Sequence, residues 1–190
     1  MEYFDIRTAD GKVTGQVKER SQVHRDGDLH GTSHVWLVRK NKRGEWEILL
    51  QKRSADKDSF PGCYDISSAG HLPAGEDYLN TAVRELWEEL GVRACPNQLQ
   101  LVGMHDSLIH TEFYGKPWNN HELSAVYVYF CELEPEKMRI QQEEVESVLW
   151  MELRECLRKM KADNTWHCLF EDEMHMLEEF LNYCSLGAEH

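Results

Sequence analysis

Three glutamates, Glu85, Glu88 and Glu89, fall within five consecutive positions of this chain. On a helix, positions three and four apart are neighbours on one face. At about 100° per residue, these side chains cover roughly a quarter of the circumference. The apolar residues Leu79, Ala82, Val83, Leu86 and Leu90 occupy a different arc, offset by about 100°. A buried face and a concentrated anionic face therefore lie side by side. Three like charges this close repel, and each resists leaving water alone. A hard divalent cation removes both penalties, and Mg²⁺ is typically held by a few carboxylates together with waters and substrate phosphates. The chemistry these residues suggest is work on a phosphate-bearing ligand, with Mg²⁺, or Mn²⁺ in its place, as cofactor.

The flanks suit this reading. Asp77 stands where an N-cap belongs, and Gly91 follows the last periodic residue, Leu90. Gly70 to Gly75 reads as a loop whose glycines let the backbone turn sharply and approach a ligand. Arg84 can pair with Glu76 and tie this loop to the helix. Taken alone, three glutamates would be a solvated helix face. The full pattern is Gly70-x5-Glu76-x7-Arg84-Glu85-Leu86-x-Glu88-Glu89-x-Gly91-Val92. It resembles the signature of the Nudix hydrolase family at every specified position. The resemblance implies an α/β/α sandwich with a mixed β-sheet. It also implies metal-dependent cleavage of a diphosphate linkage in a nucleoside diphosphate derivative or a related organic diphosphate. Carried over, the metal ligands are Glu85, Glu88, Glu89 and the carbonyl of Gly70. Glu89 is the leading candidate for a direct ligand, and Glu85 is a ligand or the general base. Glu76 and Arg84 are structural in the family. The base often comes from outside the motif; Glu112, Glu122, Glu143 and Glu144 are the candidates. Glu122 leads because it sits at an expected loop-to-strand junction, whereas Glu143 and Glu144 read as a solvated acidic turn.

A second set of residues spans roughly His24 to Val126. His24 and His30 precede the first long strand, Arg53 and Lys57 lie in QKRSADKDSFPGCYD, and Ala69-Gly70-His71 and Asn120-His121-Glu122 follow. This order resembles the isopentenyl-diphosphate isomerases, a Nudix-fold family that moves a double bond. The resemblance implies that Arg53 and Lys57 hold the substrate diphosphate. It also implies that His24, His30, His71 and Glu122 gather round a second metal, for which Zn²⁺ or Mn²⁺ is suited. The isomerase moves protons with a cysteine and a glutamate where this chain has Ala69 and Asn120. Neither can do that work at neutral pH. The expectation is an isomerase-like frame carrying hydrolase chemistry. Isomerase action and a non-catalytic module that binds a phosphorylated ligand are the competing functions. His34, His105, His110, His167 and His175 read as structural.

The elements that must position these groups follow from periodicity. The 190 residues suffice for one domain, 1–190, with 162–190 as a helical C-terminal extension. Glu2 to Ile6 and Val13 to Val17 read as a hairpin turned at Asp10-Gly11. Ser33 to Arg39 and Trp46 to Lys52 read as strands. Leu99 to Ile109 and Leu123 to Leu133 read as antiparallel strands joined by a long aromatic loop from His110 to Glu122. Ser147 to Met151 reads as a last strand, and Glu152 to Ala162 and Trp166 to Cys184 as helices. Tyr64, Phe113, Tyr114 and Trp118 could stack on a base.

The net charge of −13 leaves no basic footprint for a nucleic-acid polymer. A small anionic substrate must then be received by local cations. The six cysteines show no CxxC pairing and read as reduced thiols of a cytoplasmic chain. No signal peptide is read, and no apolar run approaches the roughly 18 residues of a membrane span. A homodimer is an expectation from the family resemblance.

Overall fold

The computed structural model describes residues 1–187, the side chains of Lys116 and Pro117 excepted. Residues 188–190, the end of the expected extension, lie outside the described residues. Strands β1 (Tyr3–Arg7) and β2 (Val13–Glu19) form the expected antiparallel hairpin. A short helix α1 (Arg20–Asp26) follows and stops at Gly27, which takes a left-handed conformation with φ of 71°. The chain then runs through β3 (Leu29–Lys40), β4 (Trp46–Arg53), β5 (Tyr64–Asp65), β6 (Ser68–His71), α2 (Tyr78–Leu90), β7 (Gln100–Phe113), β8 (Lys116–Phe130), β9 (Val145–Glu152), α3 (Leu153–Ala162) and α4 (Glu171–Gly187).

The main sheet has the order β5-β4-β3-β8-β7, with β6 also paired to β3 and β9 to β4. Among the described strands only β3 and β8 run parallel, so the sheet is mixed, as expected. Alternation along the strands builds two cores. Val35, Leu37 and Leu49 face α2 and pack on Ala82, Leu86 and Leu90. Trp36, Val38, Ile48 and Leu50 face the other way and pack on Leu153, Cys156, Met174, Leu177 and Leu181 of α3 and α4. Successive strand side chains point to opposite faces, so helices cover both sides of the sheet. All six cysteines are free thiols, and no described helix is long and apolar enough to cross a membrane.

The structure corrects four expected boundaries. Strand β3 begins at Leu29, not Ser33, so His30 lies inside the strand. His30, Thr32 and His34 share one face and are buried; polar residues at core positions hide the strand. Gly70 and His71 are strand, not loop, paired with Ser33 and Thr32. The expected loop from His110 to Glu122 is instead the continuation of β7 and β8, joined at Tyr114-Gly115. Both of these residues have positive φ, 52° and 73°. That is the two-residue turn whose twist matches antiparallel strands. Helix α4 begins at Glu171, five residues later than Trp166.

Candidate active site

The motif helix is held at both ends as its sequence demands. The Asp77 carboxylate accepts from the Asn80 backbone N–H at 2.9 Å. Gly91 ends the helix with φ of 65°. Arg84 lies 2.8 Å from Glu85, 3.0 Å from Glu88 and 3.7 Å from Glu76. One guanidinium thus offsets part of the repulsion among the acids and ties the preceding loop to the helix.

The three motif glutamates are not equivalent. Glu88 is exposed, Glu85 is half-buried and Glu89 is buried. The Glu89 carboxylate accepts from the Ala69 N–H at 3.2 Å, which joins α2 to β6. Burial, followed by repulsion from Glu85, pushes Glu89 up to about 8. Burial also raises Glu85 to about 7, with Glu88 and Glu144 adding to the shift and Arg84 opposing it. Gly70 faces this pair: a Cβ on Gly70 would overlap the Glu85 carboxyl. A glycine cradle against crowded hard oxygen donors, only partly offset by Arg84, fits a divalent cation such as Mg²⁺.

These groups line one cavity of about 630 Å³. Of the residues expected in the site, Gly70, Arg84, Glu85, Glu88, Glu89, Arg53, Lys57, His24, His71 and Glu122 line it. Glu76 and His30 do not. Arg53 is engaged with Asp65 at 2.7 Å and with the Ser59 carbonyl at 3.0 Å. Lys57 pairs with Glu144. Glu144 itself lines the cavity, contrary to the solvated turn expected, whereas Glu143 is exposed.

The histidine constellation also assembles. His24, His30 and His71 each bring one ring nitrogen within 4.8 Å of the others. The Nε2 atoms of all three are buried without a well-directed hydrogen bond. Glu122 Oε1 is 3.3 Å from His71 Nε2 and 3.9 Å from His30 Nε2. Glu122 sits mid-strand beside His30 in the β3–β8 register, not at a loop junction. Burial, with repulsion from His71, pushes His24 down to about 3 and His30 to about 4. Burial opposes charge on Glu122, but the close approach of His71, with His30 and His34 beyond it, outweighs it and holds Glu122 below the usual carboxylate range. Orphaned imidazole nitrogens, with His24 and His30 held neutral, fit a nitrogen-preferring cation.

Three contributors carry no local signal in the sequence. Phe4 of β1 stacks on His30 and His71 with ring centroids 5.3 and 4.7 Å apart. Its hairpin docks on the motif loop, where Gly75 N–H donates to Asp5 at 2.7 Å. Phe60 lines the cavity with Trp118, 6.0 Å away. Of the aromatic residues expected to stack on a base, only Trp118 lines it; Tyr114 is exposed at the hairpin tip and Tyr64 packs on Trp166. These placements depend on long-range contacts that no local pattern reports.

A family model described as NUDIX domain matches residues 30–170, which span β3 through the segment before α4. The chain belongs to the Nudix family. It is 42% identical over 157 residues to Nudix hydrolase 3 of Arabidopsis thaliana, covering 81% of this chain and 20% of that protein. It is 35% identical over 157 residues to an uncharacterized Nudix hydrolase of Clostridium acetobutylicum, covering 83% of this chain and 73% of the relative. The chain therefore spans about a fifth of the plant protein's length. Among solved structures, the NUDIX domain of Shewanella oneidensis NrtR complexed with ADP ribose superposes with a TM-score of 0.55 at 18% identity, covering 80% of this chain and 87% of that one. That likeness establishes the shared Nudix fold. The Nudix motif thus occupies β6, the loop after it and α2, and three of its acids, Glu85, Glu88 and Glu89, line the cavity.

Proposed function

We propose that this Nudix protein is a Mg²⁺-dependent hydrolase that cleaves the diphosphate linkage of a nucleoside diphosphate derivative or a related organic diphosphate. The observation that carries the reading is the convergence of Gly70, Glu85, Glu88 and Glu89 on a cavity that also holds Lys57 and Arg53. Glu85, Glu88, Glu89 and the Gly70 carbonyl would hold the cation, with Mn²⁺ able to replace Mg²⁺. The bound cation supplies neutralisation of the phosphate oxygens and acidifies the attacking water. Glu85 is a ligand of the cation or the general base, while Glu122, held ionised, lies beside His71 and His30. Lys57 turns from Glu144 to the substrate phosphates. Arg53, fixed by Asp65 and Ser59, presents its charge to the same cavity. Phe60 and Trp118 give the organic part an apolar wall. His24, His30, His71 and Glu122 are proposed to take a second ion, Zn²⁺ or Mn²⁺. A cavity of about 630 Å³ suits one small molecule.

The histidine cluster is also the observation that favours an isomerase-like frame. Ala69 and Asn120 line the cavity, however, and neither moves a proton. The test is product release from a panel of nucleoside diphosphate derivatives, with and without Mg²⁺, read by mass spectrometry. Turnover that requires the metal supports the hydrolase. Deuterium exchange into isopentenyl diphosphate in D₂O would establish the isomerase instead. Tight ligand binding with no turnover of any diphosphate would make the chain a binding module.

A further inference from the structure

On the side of the sheet covered by α4 lies a separate set of donors that the Nudix motif does not use. His34 of β3, His105 of β7 and Glu173 of α4 each bring one ligand atom within 4.8 Å of the others. All three are buried, Glu173 to 1% exposure. His34 Nδ1 lies 2.9 Å and His105 Nδ1 3.3 Å from the same oxygen, Glu173 Oε2. His105 has no well-directed hydrogen bond at either ring nitrogen, although both are buried. Two imidazoles aimed at one oxygen need two protons between them; a divalent cation replaces both protons and takes all three donors.

The surroundings match a metal centre. Ligating histidines generally pass their other N–H to a carboxylate, and ligating carboxylates are themselves hydrogen-bonded. His105 Nε2 is 3.1 Å from Asp172 Oδ1. Trp36 Nε1–H donates to Glu173 Oε1 at 2.8 Å. Two nitrogens and one oxygen suit Zn²⁺ and its neighbours over Mg²⁺. We propose that His34, His105 and Glu173 form a binding site for Zn²⁺ or a similar late first-row cation, which ties α4 to the sheet at the edge of the cavity that His34 helps to line. The site does not depend on the hydrolase reading. The competing state is a proton-filled ion cluster of the same side chains.

The test is calorimetric titration of the chelator-stripped chain with Zn²⁺ in excess Mg²⁺, so that the hard carboxylate site is already saturated. Wild type is expected to bind one equivalent more than His105→Gln, and His24→Gln one equivalent more than the double variant His24→Gln/His105→Gln. Asp172 is exposed, so Asp172→Asn leaves the fold intact; it is expected to weaken zinc binding about 10- to 100-fold. Added Zn²⁺ is expected to raise the thermal midpoint of wild type but not of His105→Gln. Equal zinc uptake by wild type and His105→Gln, equal uptake by His24→Gln and the double variant, or unchanged affinity in Asp172→Asn would each overturn the proposal.

Discussion

The Glu85 carboxyl lies against the Cα of Gly70, and a side chain at position 70 would occupy the same space. Gly70 also sits in β6, paired with Ser33, so the backbone cannot retreat without breaking the sheet. Gly70→Ala must therefore displace Glu85. A shift of about 1 Å at a reacting group costs on the order of 100-fold in rate. The expected outcome is a fall of that size in kcat/KM and weaker Mg²⁺ binding, with near-wild-type circular dichroism. Unchanged kinetics would remove Glu85 from the chemistry.

Glutamine is nearly isosteric with glutamate, and its side-chain oxygen at position 89 can still accept from the Ala69 N–H. Glu89→Gln keeps the packing and removes only the charge. Loss of a metal ligand costs several kcal/mol of transition-state stabilisation, about 100-fold or more in rate. The variant is expected to fold, to lose activity by at least that factor, and to bind Mg²⁺ weakly. Wild-type turnover would place the cation elsewhere.

The metal-free protein carries a pH signature from the same acids. In the unfolded chain Glu85 and Glu89 titrate at 4.5; in the folded chain they are raised to about 7 and about 8. Between these limits the folded state binds more protons than the unfolded state, so stability falls as pH rises. Full stability from this source exists below about 4.5 and is gone above about 8. His24 and His30, lowered by burial, push the other way up to about pH 6.5, so the pair is read by difference: in urea denaturation with chelator, wild type is expected to lose stability relative to Glu89→Gln from about pH 5 to about pH 8, and added Mg²⁺ is expected to remove that trend. A difference that moves in favour of wild type over that range would contradict the repulsion assigned to the pair.

How far the sequence carries depends on the range of the signal. The motif helix is legible because its cap, stop and periodicity are local: Asp77, Gly91 and Leu86 each announce their role within a turn or two. The hairpin from His110 to Glu122 is not, because Tyr114 is an uncommon residue for a left-handed turn position and carries no turn signal. The start of the strand carrying His30 and His34 is hidden, since polar core residues break the apolar run. Phe4 and Glu173 lie far in sequence from the histidines they touch. Only the folded register brings them together.

Phe4 supplies the last measurable consequence. It is fully buried, anchors the N-terminal hairpin through Ile6 and Val23, and stacks on His30 and His71. Phe4→Ala removes a core ring, which typically costs about 3–5 kcal/mol, the whole margin of a less stable domain. Phe4→Leu keeps most of the volume and typically costs under about 1.5 kcal/mol, but it removes the stack. The leucine variant is therefore the informative one. If the hairpin only caps the sheet, Phe4→Leu lowers the thermal midpoint slightly and leaves kinetics alone. Because His71 and Phe4 both line the cavity, we expect KM to rise as well, measured on whichever diphosphate the wild type turns over.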